Sequence, residues 1–174
     1  MVSPESNLYY SVDSQQVFIK INQRATYNIS ETFKSLVLDL VADGVDILVL
    51  DLSACEMMDS TFLGMLAGLG RKHPHRTNQE GLQLRLVLPN IRIRDSLENL
   101  DALQLFEITE DSRSLPRTYR PAPPRSTPAT KEQLAHNSLE AHQHLMSLNP
   151  SNIPKFKDVA RLLEEELKRI PKKP

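Results

Sequence analysis

The chain has 174 residues, 40% of them hydrophobic, and a formal net charge of −1. That is enough apolar material for one modest core and a little more; the near-neutral balance gives no basic field for nucleic acid or an anionic membrane, and the apolar runs fall well short of the roughly 20 residues that span a bilayer. The single cysteine, Cys55, excludes an intrachain disulfide framework, and no basic-then-apolar leader stands near Met1, so the expectation is a cytoplasmic protein without direct nucleic-acid binding or membrane insertion.

Leu8, Tyr10 and Val12 alternate with polar positions, as do Val17, Ile19 and Ile21, the period of two that turns one face of a strand inward. The polar stretch 13–16 between them makes a hairpin the economical connection. Ser30 is placed as the cap of a helix with Glu31 at its positive end and Phe33, Val37, Leu40 and Val41 on one face. Asp43-Gly44 stops it, because glycine takes the left-handed closing conformation without steric cost. The apolar run inside 45–52 does not alternate, as expected of a strand buried on both faces.

A second helix opens at Asp59-Ser60 and continues to Gly70. Gly64 and Gly68 share one of its faces; each gives up about 1 kcal/mol of helix propensity against alanine, and close packing of the helix backbone on the sheet is the expected return. A polar excursion over 71–80 contains Pro74. Leu82, Leu84, Leu86 and Leu88 then alternate as a strand, Pro89-Asn90 breaks it, and a short basic helix over 91–100 and a last strand over 103–108 follow. The order is that of an α/β fold with parallel crossovers, a mixed sheet of about five strands with helices in a domain of residues 1–111.

Composition changes at residue 112. The stretch 112–130 carries prolines at 116, 121, 123, 124 and 128 and arginines at 113, 117, 120 and 125, which predicts an extended, semi-rigid linker with no core of its own. Its Pro121-Ala122-Pro123-Pro124 is an imperfect match to an SH3-type ligand. Residues 131–174 predict a helical hairpin extension. Leu134, Ala141, Leu145 and Leu148 recur at helical spacing; after Asn149-Pro150-Ser151-Asn152, the residues Phe156, Val159, Ala160, Leu163, Leu167 and Ile170 form one stripe, with Lys168, Arg169, Lys172 and Lys173 at the negative end. Such a stripe docks on the α/β domain or pairs with another chain, a homodimer being one outcome.

The segment from Asp51-Leu52-Ser53 to Asp59-Ser60-Thr61-Phe62-Leu63-Gly64 resembles the signature of STAS domains of the anti-sigma factor antagonist type. There a buried strand ends in Asp-Leu-Ser and a short loop leads to Asp-Ser-Ser/Thr-Gly-Leu-Gly at a helix start. Asp59, Ser60, Thr61, Leu63 and Gly64 match, and the element order agrees over about residues 7–110. Phe62 stands where the family usually has glycine, Gln23 replaces the usual glycine after the second strand, and Thr26 stands where many relatives carry aspartate. The resemblance implies a STAS-like fold and a binding module rather than an enzyme, with no cofactor. Ser60 takes the position of the family's phosphorylated serine. Unphosphorylated, it implies binding to an anti-sigma factor serine kinase, which frees a sigma factor; phosphorylation ends binding and a metal-dependent phosphatase restores it. The implied partner-binding surface is Met58, Asp59, Ser60, Thr61 and Phe62. STAS domains also serve as non-switching scaffolds or accessory subunits of signalling and transporter complexes, which is the alternative.

The residues alone give a compatible picture. A serine at a helix N-cap is exposed beside backbone N–H groups that favour negative charge. A phosphoryl group adds about −1.5 to −2 charges, tolerable within the domain but repulsive across an interface. Capping alone is the other reading of Ser60. Phe62, a large ring beside the docking face, is expected over the helix start or as an apolar anchor for the partner.

Other chemistries find little support. Asp51, Glu56 and Asp59 fall on a strand end and a loop rather than in a metal or acid–base cluster. Ser60 lacks the Gly-x-Ser-x-Gly elbow and an identifiable base, which argues against a hydrolase nucleophile. His73-Pro74-His75 and His142-Gln143-His144 lack a cysteine or carboxylate at ligand spacing and read as surface histidines, so no metal is expected. Cys55 reads as a small half-buried residue. Gly64, Gly68 and Gly70 lack the Gly-Lys-Ser/Thr ending of a phosphate loop.

Overall fold

The computed structural model describes residues 7–72, 82–125 and 127–171. The chain opens with the expected antiparallel hairpin of β1 (Leu8–Asp13) and β2 (Gln16–Ile21). Then come β3 (Gln23–Ala25), α1 (Tyr27–Ala42), β4 (Ile47–Asp51), β5 (Cys55–Met58) and α2 (Ser60–Lys72). β6 (Gln83–Val87), α3 (Ile91–Asn99) and β7 (Glu107–Thr109) complete the alternating part, followed by β8 (Arg120–Pro121), α4 (Lys131–Leu148) and α5 (Ile153–Arg169). The main sheet has the order β7-β6-β4-β2-β1-β8. It is parallel from β2 through β7 and antiparallel at β1 and β8, while β3 and β5 pair separately. The mixed α/β architecture is the one expected. The last strand is shorter than expected, because Asp101 enters the left-handed region (φ 56°) and Leu103–Leu105 makes a 3-10 turn before β7.

Strand alternation divides the apolar residues between two faces. Ile19, Ile21, Leu48, Leu50, Leu84 and Leu86 meet Phe33, Phe62, Leu66 and Leu97 from the helices in one buried cluster. Phe18, Val49 and Val87 form a second cluster, so the unbroken apolar run of β4 serves both faces. The second cluster is covered by Leu115 and Tyr119, both from the stretch expected to be a linker without a core. That stretch is extended but not detached. β8 adds to the edge of β1, the Ala122 N–H donates to the Leu8 carbonyl at 2.9 Å, and Ala122 is buried in the main core. Arg120 lies 4.5 Å from the Tyr10 ring centroid, and Arg125 is ion-paired with Glu31 of α1.

Asp51 ties this strap to the sheet. Its carboxylate is buried and accepts from the Ser53 N–H at 3.1 Å, the Ser53 hydroxyl at 2.6 Å and the Tyr119 hydroxyl at 3.0 Å, with Lys20 Nζ 3.6 Å away. Burial, and then the neighbouring Asp51 charge, push the Tyr119 hydroxyl above its ordinary value of 10.0, which keeps it a donor. Tyr119→Phe is expected to lower stability by about 1–2 kcal/mol in urea unfolding at neutral pH. Because the folded-state value is raised, the hydroxyl's contribution is intact below about pH 10 and declines as pH rises above it, so the gap between the two proteins narrows there. An identical midpoint at neutral pH would show that the strap is not held through Asp51.

Candidate functional site

The β3–β5 pair sets the first turns of α1 and α2 side by side. Ala25 lies opposite Met58, and the Asp59 N–H donates to the Ala25 carbonyl at 2.9 Å. One carboxylate then serves both helices: Asp59 Oδ1 accepts from the Phe62 N–H and Oδ2 from the Tyr27 N–H, each at 2.8 Å. Asp59, not Ser60, is therefore the cap of α2, and Ser60 is the first residue of the helix. Ser30 does not cap α1 either. The helix begins a turn earlier, at Tyr27, and the buried Ser30 hydroxyl donates back to the Tyr27 carbonyl at 2.7 Å. Asn90, read from the sequence only as part of the Pro89-Asn90 strand break, fixes the adjoining loop. Its amide donates to the Cys55 and Glu56 carbonyls at 2.9 Å, and its carbonyl oxygen caps α3 through the Ile93 N–H.

Helix α4 lies across α2 at this point. Ser60 Oγ is 2.9 Å from His142 Nε2, and His142 Nδ1 is 2.6 Å from the Ser138 carbonyl oxygen. A carbonyl only accepts, so Nδ1 carries the proton; in the neutral ring Nε2 is then the acceptor and Ser60 the donor. Thr61 Oγ1 and Ser138 Oγ are 3.0 Å apart. The two helices approach so closely because of glycine. A methyl group at Gly64 would sit 2.2 Å from the Ala141 carbonyl oxygen, and one at Gly68 2.5 Å from the His144 ring. The glycine face thus meets α4 rather than the sheet. The sheet side of α2 is taken by large residues, Phe62 and Leu66 among them.

This arrangement redistributes the expected site residues. Phe62 is fully buried and packs edge-on against Phe33, ring centroids 5.0 Å apart, and Met58 is 7% exposed. Both point into the core, so neither is an outward anchor. Thr61 is buried beneath α4, while Asp59 and Ser60 remain half-buried. Asp51 and Asp59 hold separate partners and form no common cluster with Glu56. His142 is not a surface histidine: it is 4% exposed and Phe156 of α5 packs on its ring at 5.4 Å. It supplies the base that the sequence did not reveal beside Ser60, yet its burial leaves no room for a substrate between the two side chains. His144 lies 3.6 Å from Glu140. His73-Pro74-His75 lies outside the described residues. Cys55 is buried, and burial pushes its thiol up to about 11, so it stays a neutral thiol rather than a reactive thiolate. Among the described residues no helix is long and apolar enough to cross a membrane.

The family model for the STAS domain matches residues 9–115. No curated protein matches the chain. Among solved structures, a candidate anti-sigma factor antagonist from Thermotoga maritima superposes with a TM-score of 0.51 at 22% identity, over 59% of this chain and 86% of that one. An anti-sigma factor antagonist from Mycobacterium paratuberculosis gives 0.50 at 18% identity, over 64% and 92%. Helices α4 and α5 lie beyond the family match.

The geometry makes Phe62 and Asp59 matters of stability. Phe62→Ala is expected to cost about 3–5 kcal/mol through lost burial and the cavity left behind. Asp59→Ala removes two caps, each of which contributes about 1 kcal/mol. Chemical denaturation measures both; a Phe62→Ala loss below that of Asp59→Ala would contradict the core placement of the ring.

Proposed function

The chain belongs to the STAS domain family, and from that premise we propose that it is a partner-switching regulator of the anti-sigma factor antagonist type. Its Ser60 form binds an anti-sigma factor serine kinase, phosphorylation of Ser60 ends that binding, and a metal-dependent phosphatase restores it. The observation that carries the reading is the position of Ser60 as the first residue of α2, directly after the capping Asp59. The N–H groups of a first helical turn have no intrahelical acceptor, and the helix dipole favours negative charge there. A phosphoryl group on Ser60 Oγ is therefore stabilised by its own domain. In a partner's interface, beside Asp59 and Glu56, the same charge is repelled. The protein so read acts by binding and not by turnover, in the cytoplasm, with residues 1–111 as the switching domain, 112–130 as its connection and 131–174 as an added helical hairpin.

A non-switching scaffold is the second reading, and the seat of α4 on Ser60 favours it, since the hydroxyl already has a partner in His142. Mass spectrometry of the protein from its own cells separates the two. The switch predicts phosphate on Ser60, and a hydroxyl that is never phosphorylated leaves the scaffold. Ser60→Asp is further expected to weaken kinase binding while Ser60→Ala retains it. A complete switch needs about 10⁴-fold in affinity, roughly 5.5 kcal/mol, of which a carboxylate reproduces a part. Equal isotherms for the two variants would contradict the switch.

A further inference from the structure

In the closed arrangement Ser60 faces its own chain. Its hydroxyl is spent on His142, which is itself only 4% exposed, and Thr61 beside it is buried against Ser138. With Ser60 in this rotamer, a phosphoryl group on Oγ would collide with the imidazole 2.9 Å away. A cleft of about 30 Å³ along this seam, between Thr61, Met65, Asn137 and Glu140, is not lined by Ser60. The occupant is a helix outside the family match, matched to the surface it covers by Gly64 and Gly68 against Ala141 and His144.

The chemistry of the seam near Ser60 is that of a contact able to separate. It joins hydroxyls, small residues and the partly exposed Lys34–Glu140 pair, whereas an obligate interface is built from large apolar side chains; the apolar anchor of α4 is Leu145, buried in the main core about one turn further along. The hairpin also has its own cohesion. The buried Asn152 amide donates to the Leu145 carbonyl, joining the turn to α4, as well as to the Leu100 carbonyl of the α/β domain, and Phe156 packs on His142. The strap through Tyr119 and Ala122 holds the preceding segment to the sheet independently of α4.

We propose that the α4–α5 hairpin is a built-in competitor of the partner: it occupies the Ser60 face of α2, so that partner binding and phosphorylation proceed on chains in which α4 has lifted. This rests on the switch reading of Ser60. The surface uncovered is a helix-docking groove floored by Gly64 and Gly68, which suits a partner helix carrying a small residue at the contact, as α4 carries Ala141.

The cover is tested in the full-length chain with Ser60→Cys as an accessibility probe, following iodoacetamide labelling at position 60 by peptide mass spectrometry. Gly64→Ala wedges the seam from α2, and Ala141→Glu does so from α4 with the α2 glycines native. Each wedge is expected to raise the labelling rate at least about tenfold, the mark of a closed state losing its population. Rates already fast and unchanged by either wedge overturn the cover. The competition is tested by phosphate occupancy of Ser60 in the native cells, comparing the natural chain with each wedge variant. A several-fold rise with the wedge supports it. Equal occupancy while the wedge opens the seam overturns the competition and leaves the switch reading intact. Phosphate on neither form overturns the switch reading itself, and the competition with it.

Discussion

The Asp59 carboxylate accepts from the Tyr27 N–H with one oxygen and from the Phe62 N–H with the other, so that a single side chain closes the starts of α1 and α2. An unpaired backbone N–H at a covered helix end is costly, and two such ends meet here. Their meeting is imposed by the β3–β5 pair, which brings Ala25 opposite Met58. Once Asp59 is held, Ser60 has no freedom of place: it is the first residue of α2, and its hydroxyl points along the surface on which α4 lies. Phe62 turns the other way, onto Phe33. The same local geometry thus yields a polar outer edge and an apolar inner one within three residues.

The outer edge is covered by material that a family match does not anticipate. Glycines at 64 and 68 lower the helical propensity of α2, and that loss is offset by the approach of α4 to within backbone contact. The strap before α4 has its own anchors in Asp51 and the edge of β1, and the turn after α4 is fastened where the Asn152 amide donates to the Leu100 carbonyl. The hairpin is consequently positioned from three sides, with Ser60 beneath its middle. The proposed phosphorylation of Ser60 requires this cover to move, which is why the polar, small-residue character of the seam beside it matters.

Much of the α/β fold was legible from periodicity, because alternating and helical apolar patterns report burial directly. Leu8 to Ile21 read as a hairpin and the Asp43-Gly44 stop of α1 belong here; Gly44 adopts φ 93°. Helix starts were less legible. Ser30 and Ser60 have the composition of caps, but Asp59 caps α2 locally through the Phe62 N–H and also claims the Tyr27 N–H at the start of α1 from thirty-two residues away, a tertiary pairing that no local pattern encodes. Phe62 was misplaced for a related reason: a ring next to a surface motif looked exposed, whereas its helical phase directs it at Phe33. The segment around Tyr119 was read from its prolines and arginines, and Leu115, Tyr119 and Ala122 were too few to register. The unbroken apolar run of β4 had already implied a second covered face. The stripe of Gly64 and Gly68 was visible, but which neighbour it admitted depended on a helix more than seventy residues later.

The seat of α4 on the Ser60 face of α2 decides whether Ser60 is covered in solution. The most direct measurement is a nuclear Overhauser spectrum of the isotopically labelled full-length protein, read for contacts between the Gly64 α-protons and Ala141. Seating of α4 as described predicts strong cross-peaks between those two residues, because no side chain intervenes. Absence of those cross-peaks, with both residues assigned and α2 intact, would contradict it.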